Sequence, residues 1–346
     1  TVTSFEFKSN TKVILPGVFK GNEKLTSLEI PNGVSVINDN QFRGCVNLTS
    51  ITLPESITSI GSSAFYNCSN LIEINMENLS QLTIIEASTF YNCGNLNDID
   101  FSGLTNLTSI EEVAFFKCKT LTSIDLSRAT KLTSIANGAF YNCSELTTVK
   151  LPDSITTVSA QYFGVSTGYY GAFEKCDKLE YNRYDNGLYL GNDANPYLAL
   201  LKPNNSSITS IKIHSDTKVI ANYALAECTS LSNIDLSECT QLTYIGDYSF
   251  SGCTSLTSFT IPSTVVNIGE RAFRKCSSLT TLTIPSSVIY IGSGSCNGSG
   301  VTSITFEDAS NWYRNSTFTT EVDMSNPTDN ATNLKNSTRT YYKKVD

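Results

Sequence analysis

Histidine is nearly absent from this chain, with a single residue, His214, and tryptophan is as scarce, with Trp312 alone. A Ser–His–Asp or Cys–His catalytic device would have to be built on His214, and no nucleophile elbow surrounds it. Charge is sparse as well: only 16% of residues are Asp, Glu, Lys or Arg, and their balance is -8. That balance, with a pI near 4.9, argues against nucleic acid or an anionic membrane surface as partner, because both reward basic proteins. No apolar run approaches the roughly 20 residues needed to span a bilayer. Phosphate-cradling loops of the G-x-G-x-x-G or G-x-x-x-x-G-K-[ST] kind are missing, and so is any C-x-x-C or C-x-x-H pair that would give zinc its spacing. The usual nucleotide enzymes and zinc modules are thereby excluded, and no cofactor is expected.

What is present is repetition. Leu48 to Cys68, LTSITLPESITSIGSSAFYNC, carries apolar residues at Leu48, Ile51, Leu53, Ile57, Ile60, Ala64, Phe65 and Cys68, with a corner at Pro54. This stretch is too short to bury its own apolar face, so neighbouring copies must cover it. Aligned on Phe65, the anchors are Phe19, Phe42, Phe65, Phe90, Phe115, Phe140, Phe173, Leu225, Phe250, Phe273 and the degenerate Cys296. Their spacings run 23, 23, 25, 25, 25, 33, 52, 25, 23 and 23. Pro corners such as LPESI make the short form, and polar loops such as MENLSQL make the long one. Each coil should hold a short strand at L-T-S-I-x-L, a corner, a second short strand around V-x-x-I and a tight turn through A-F-x-x-C. Stacked at about 4.8 Å per coil, eleven coils would make a rod roughly 50 Å long. The register starts at residue 1, with Phe5, Phe7 and Ile14 at core positions; with no initiator Met, this points to an upstream leader or cap that was removed.

The unit C-x-x-L-x-x-I-x-L-P-x-S-V-x-x-I-G-x-x-A-F-x-x, almost complete at 45–67, 253–275 and 276–292, resembles the BspA-like, or TpLRR, class of leucine-rich repeats. The resemblance covers residues 1–306. It implies a mostly β, right-handed leucine-rich-repeat solenoid of about eleven coils of 23–25 residues with parallel sheets, one inserted β-hairpin and a C-terminal cap. It also implies a secreted or cell-surface protein without enzymatic activity. The expected partner is a protein or glycan, such as host extracellular matrix or mucosal glycan, bound by a monomer with no membrane insertion. A carbohydrate-active hydrolase using exposed carboxylates and a rigid spacer of a larger surface protein are the alternatives.

Two features break the period. The insert, residues 164–205, contains Gly187–Gly191 and Pro196–Lys202, which read as a β-hairpin around Asn192–Asn195; a similar insert is common in BspA-like proteins. After Phe306 the repeat stops, and residues 307–346, with Trp312, Tyr313, Tyr341 and Tyr342, read as a cap over the open end of the core.

Three groups of residues are candidates for function. Nine of the eleven cysteines, Cys45, Cys68, Cys93, Cys118, Cys143, Cys176, Cys228, Cys253 and Cys276, share one repeat position, while Cys239 and Cys296 take other core positions. Parallel side-chain vectors disfavour disulfides between ladder neighbours, so these read as buried thiols filling small apolar space. The second group is acidic: stacking places Glu73 beside Asp98 and Asp100 beside Asp125 on one outward face, a solvated patch or a weak site for Ca²⁺ or a basic partner. Like charges at about 4.8 Å repel by roughly 0.9 kcal/mol per pair in water, which an exposed sheet tolerates. Lys150 follows in the same column. The third is aromatic: Tyr162, Tyr169, Tyr170, Tyr181, Tyr184, Tyr189 and Tyr197, seven of the seventeen tyrosines, crowd around the insert. They read either as a recognition surface or as a private core beneath the hairpin. Triplets such as Asn47-Leu48-Thr49 would carry glycans only in a source with the machinery.

Overall fold

In the computed structural model, which describes residues 5–160, 170–314, 316–317, 319–336 and 338–344, the short strands fall where the repeat places them and pair in parallel, coil on coil. Two compact units result: Thr1–Ile155 with Tyr169–Glu180 and Gly191–Ala194, and Thr156–Gly168 with Tyr181–Leu190 and Asn195–Asp346. In the first unit Ser27–Glu29 pairs with Ser50–Thr52, which pairs with Glu73–Ile74, and Ser123–Asp125 pairs with Thr148–Lys150. A second ladder there runs through Ile84–Ile85, Ser109–Ile110 and Ser134–Ile135. In the second unit Ala199–Leu200, Val219–Ile220, Tyr244–Ile245, Asn267–Ile268 and Tyr290–Ile291 form one continuous parallel ladder.

The tight turns bond between coils too. Phe65 N–H donates to Thr89 O at 2.9 Å and Asn67 N–H to Tyr91 O at 2.7 Å. Such turns need left-handed backbone two residues before and after the Phe, as at Ser63 and Asn67 (φ 58° and 61°) or Ser88 and Asn92 (φ 60° and 57°). Asn tolerates that conformation better than most residues, which is why F-Y-N-C recurs. Inside, Phe19, Phe42, Phe65, Phe90, Phe115, Phe140 and Phe173 stack with centroids 5.0 to 5.4 Å apart.

All eleven cysteines are free and buried. Their role exceeds filling space: Cys68 Sγ donates to Phe42 O at 3.1 Å, Cys118 Sγ to Phe90 O at 3.2 Å and Cys253 Sγ to Leu225 O at 3.2 Å. Each of these three thiols thus tethers its turn to the turn one coil earlier. Burial pushes the thiols up, Cys93 to about 12, so they carry no thiolate at neutral pH.

The strand ladder lapses at residues 96–101 and 256–262. Each stretch holds a Phe where other coils have Leu or Ile. Phe101 meets Phe115 edge-on at 6.0 Å, and Phe259 lies 4.8 and 4.9 Å from Phe250 and Phe273.

The insert is larger than the expected hairpin. Asn182–Tyr184 pairs antiparallel with Gly187–Leu190, which pairs antiparallel with Ala199–Pro203 after a register shift between Leu188 and Tyr189. The outer strand escaped sequence reading because Asn182 and Arg183 face solvent and offer no apolar alternation. At the C-terminal end Trp312 is 1% exposed, Tyr341–Lys343 covers Tyr290–Ile291 in antiparallel fashion, and a helix, Pro327–Lys335, is N-capped by Asn326. The helix supplies what a further coil would: Leu334 O accepts Cys296 N–H at 3.0 Å, and Asn330 Nδ2 donates to Ile304 O at 2.9 Å.

Candidate ligand-binding surfaces

Where the strand face of the first unit lapses, it opens into a groove of about 980 Å³. The preceding coil prepares it: Asn75 takes over backbone pairing with its carboxamide, accepting Leu53 N–H at 2.7 Å and donating to Leu53 O at 2.9 Å. Glu73, Asp98 and Asp100 line the groove together with Glu77, Thr52, Asn97 and Ile72, and Ile72 is 44% exposed. Ser102 holds the Asp100 carboxyl below its ordinary range by hydrogen bonds from side chain and backbone, its N–H reaching Oδ1 at 2.8 Å. Asp125 is not in the groove lining. It pairs in register with Lys150 and accepts from Ser127 N–H at 3.0 Å, while Lys150 Nζ reaches Asp193 Oδ2 at 2.6 Å. Among the described residues no group of three or more His, Cys, Asp or Glu could hold a metal ion.

The tyrosines around the insert divide. Tyr162 and Tyr169 lie outside the described residues. Tyr170, in the first unit, is 37% exposed and packs against Phe116 at 5.6 Å and Tyr141 at 4.6 Å. In the second unit Tyr189 is 0% exposed; its hydroxyl accepts His214 N–H at 3.4 Å, and burial raises its pKa. Tyr197 stacks on His214 at 3.9 Å, and Tyr184 meets the same imidazole edge-on at 4.8 Å. The histidine is thus a docking post for the insert. Tyr181 carries Lys202 Nζ over its ring at 4.9 Å.

Sequence reading missed a second aromatic ladder in the first unit. Tyr66, Tyr91, Phe116 and Tyr141 stack at 4.5, 4.7 and 4.6 Å, with Arg43 over Tyr66 at 4.3 Å. Its signal was available in the aromatic that follows the anchor Phe in four successive coils. Rings stacked this way cover one another's faces, and Phe116 and Tyr141 are buried, so the ladder is packing and offers no platform for a sugar.

Parallel strands stacked coil on coil around ladders of Phe and Cys define a leucine-rich-repeat solenoid. The chain belongs to the family described as BspA type Leucine rich repeat region, six copies of which match residues 1–105, 79–189 and 204–324. Among solved structures it is similar to a leucine-rich cell surface protein from Faecalibacterium prausnitzii, at 26% identity over 82% of this chain and 88% of that one, with a TM-score of 0.39. A leucine-rich repeat protein from Bacteroides ovatus shares 26% identity over 82% and 81%, TM-score 0.42. The T. pallidum leucine-rich repeat protein shares 25% over 59% and 77%, TM-score 0.41. No curated protein matches the chain. The matching family is a repeat family and not a catalytic one, and among the described residues no helix is long and apolar enough to cross a membrane.

Proposed function

We propose that this chain is a non-enzymatic binding protein, secreted or held at a cell surface, which adheres to a protein or glycan through the strand face of its first unit. The observation that carries this reading is the groove over residues 50–123, which combines four carboxylates, short polar side chains and one exposed Ile72. A polar floor with a small apolar contact suits a wet, reversible interface. Hydrolysis by paired carboxylates needs one of them raised to act as proton donor. Asp100 is displaced the other way, toward the charged form.

A glycan and matrix-protein array, probed with the wild type and with Glu73→Gln/Asp98→Asn/Asp100→Asn, tests the reading. Binding that the triple variant loses supports it. Binding to nothing leaves a spacer as the function, and release of reducing sugar from a polysaccharide panel would replace the reading with hydrolysis.

A further inference from the structure

The groove of the first unit departs from the repeat at its outward positions. Where other coils carry Thr49, Thr122 and Thr147, this strand face carries Ile72, 44% exposed. Where they carry Ser50 and Ser123, it carries the exposed carboxylates Glu73 and Asp98. Stacking would be served as well by the usual Thr and Ser, so the inward rule of the repeat does not account for these residues.

The groove is also unbalanced in charge. Its lining holds Glu73, Glu77, Asp98 and Asp100 and no Lys, Arg or His. Among the described residues none of the four carboxylates has an ion-pair partner, and Lys150, the cation that follows in the column, is engaged by Asp193 at 2.6 Å. The backbone there lacks partners too. Among the described residues Asp98, Ile99 and Asp100 belong to no strand and make no backbone hydrogen bond to either neighbouring coil, whereas the rung of Ile51 pairs on both sides.

These features select the occupant. A divalent cation is disfavoured, because among the described residues no three acidic groups are placed to share one. A sugar ring would find no aromatic face in the lining. Several ammonium or guanidinium groups, each on its own stem, can instead meet the carboxylates one by one. The four coils from Ser50 to Ser123 span about 14 Å at roughly 4.8 Å per rung, the length of about four residues of extended chain. Side chains of such a chain alternate, so every second residue faces the groove. The methylenes of a basic stem then lie along Ile72 while its charge reaches the carboxylates, and the unpaired peptide groups at Asp98–Asp100 are open to the backbone of the incoming segment.

We propose that the groove binds an extended segment of a partner protein that carries lysine or arginine at alternate positions. The inference rests on the reading of this groove as the ligand surface, and it narrows the ligand from protein or glycan to a basic protein segment. A chain of net charge -8 also steers basic partners toward it.

Fluorescence polarisation of a labelled, end-blocked Gly-Lys-Ser-Lys-Ser-Lys-Gly peptide, titrated with the full chain beside the same peptide acetylated on its lysines, tests this. Binding of the first and not the second is expected, weakening as salt rises. Glu73→Gln/Asp98→Asn/Asp100→Asn should weaken it about tenfold. Glu321→Gln/Asp323→Asn/Asp329→Asn, which removes three exposed charges from the second unit, should leave it unchanged, which separates the groove from net charge. Ile72→Thr, which restores the residue of the other coils, should weaken it about threefold at an unchanged melting temperature. Equal binding of the acetylated peptide, no binding at millimolar protein, or equal loss in the two triple variants would each overturn the proposal. If the peptide fails while a glycan or matrix protein on the array still binds wild type and not the groove variant, the groove stands as the ligand surface and its assignment to a basic segment falls.

Discussion

Exchanging Cys118 for Ala and for Ser separates packing from hydrogen bonding in the cysteine ladder. Cys118 is 0% exposed, and its Sγ lies 3.2 Å from Phe90 O, a carbonyl that also accepts Cys93 N–H at 3.1 Å. Truncation to Ala removes one buried heavy atom, at about 1 kcal/mol on the scale of a single deleted methylene. It also removes a weak S–H donor, worth about 0.5 to 1 kcal/mol. The sum is about 2 kcal/mol. Serine loses the same sulfur but restores a donor aimed at Phe90 O. In a purely apolar hole its hydroxyl would go unsatisfied and Ser would be worse than Ala by about 1 to 3 kcal/mol; with the carbonyl in reach, Ser should equal or exceed Ala. Urea denaturation of the full chain by circular dichroism gives the ranking, and hydrogen exchange across residues 113–126 gives a local reading, since stacked coils need not unfold in one step. A Ser variant more than 1 kcal/mol less stable than Ala would refute the tether. The thiol should also stay inert to labelling in the native state, because burial and the neighbouring Cys93 raise it well above its ordinary value.

The close approach of coils at Gly103 leaves no room for a side chain: a Cβ there would sit 1.7 Å from Glu77 O. Gly103→Ala should lower stability in urea by about 1 to 3 kcal/mol, since backbone and not a flexible side chain must give way. At the cap, Lys343 and then Ser310 hold the Asp308 carboxyl well below the usual range, with Lys343 Nζ at 2.6 Å. A carboxyl depressed by folding stabilises above its unfolded value of about 3.9, and that contribution is lost as pH falls through the folded value. Exchange at Tyr341–Lys343 should therefore quicken in acid, and Asp308→Asn should quicken it at neutral pH and flatten the acid response.

The candidate surfaces were legible in unequal measure. Glu73, Asp98 and Asp100 fall in one groove because their spacing follows the repeat. Asp125 drops out of the lining and pairs in register with Lys150 instead, and Glu77 joins from the polar corner after Met76. The tyrosines of the insert drew notice by density alone. Density cannot distinguish Tyr189, buried within its strand of the insert, from Tyr170, which is partly exposed.

The amino-acid sequence by itself determined the solenoid, since a period of 23 or 25 residues with fixed inward positions has one economical burial, each coil covering the next. It determined also which residues face inward, down to every cysteine. The tertiary structure decided what the period cannot encode: where the strand ladder lapses, which carbonyls the thiols of the ladder meet, how a helix stands in for a missing coil, and which outward side chains become neighbours. Inward positions obey one rule repeated in every coil. Outward ones depend on pairings between residues far apart in the chain, and only the stacking brings those together.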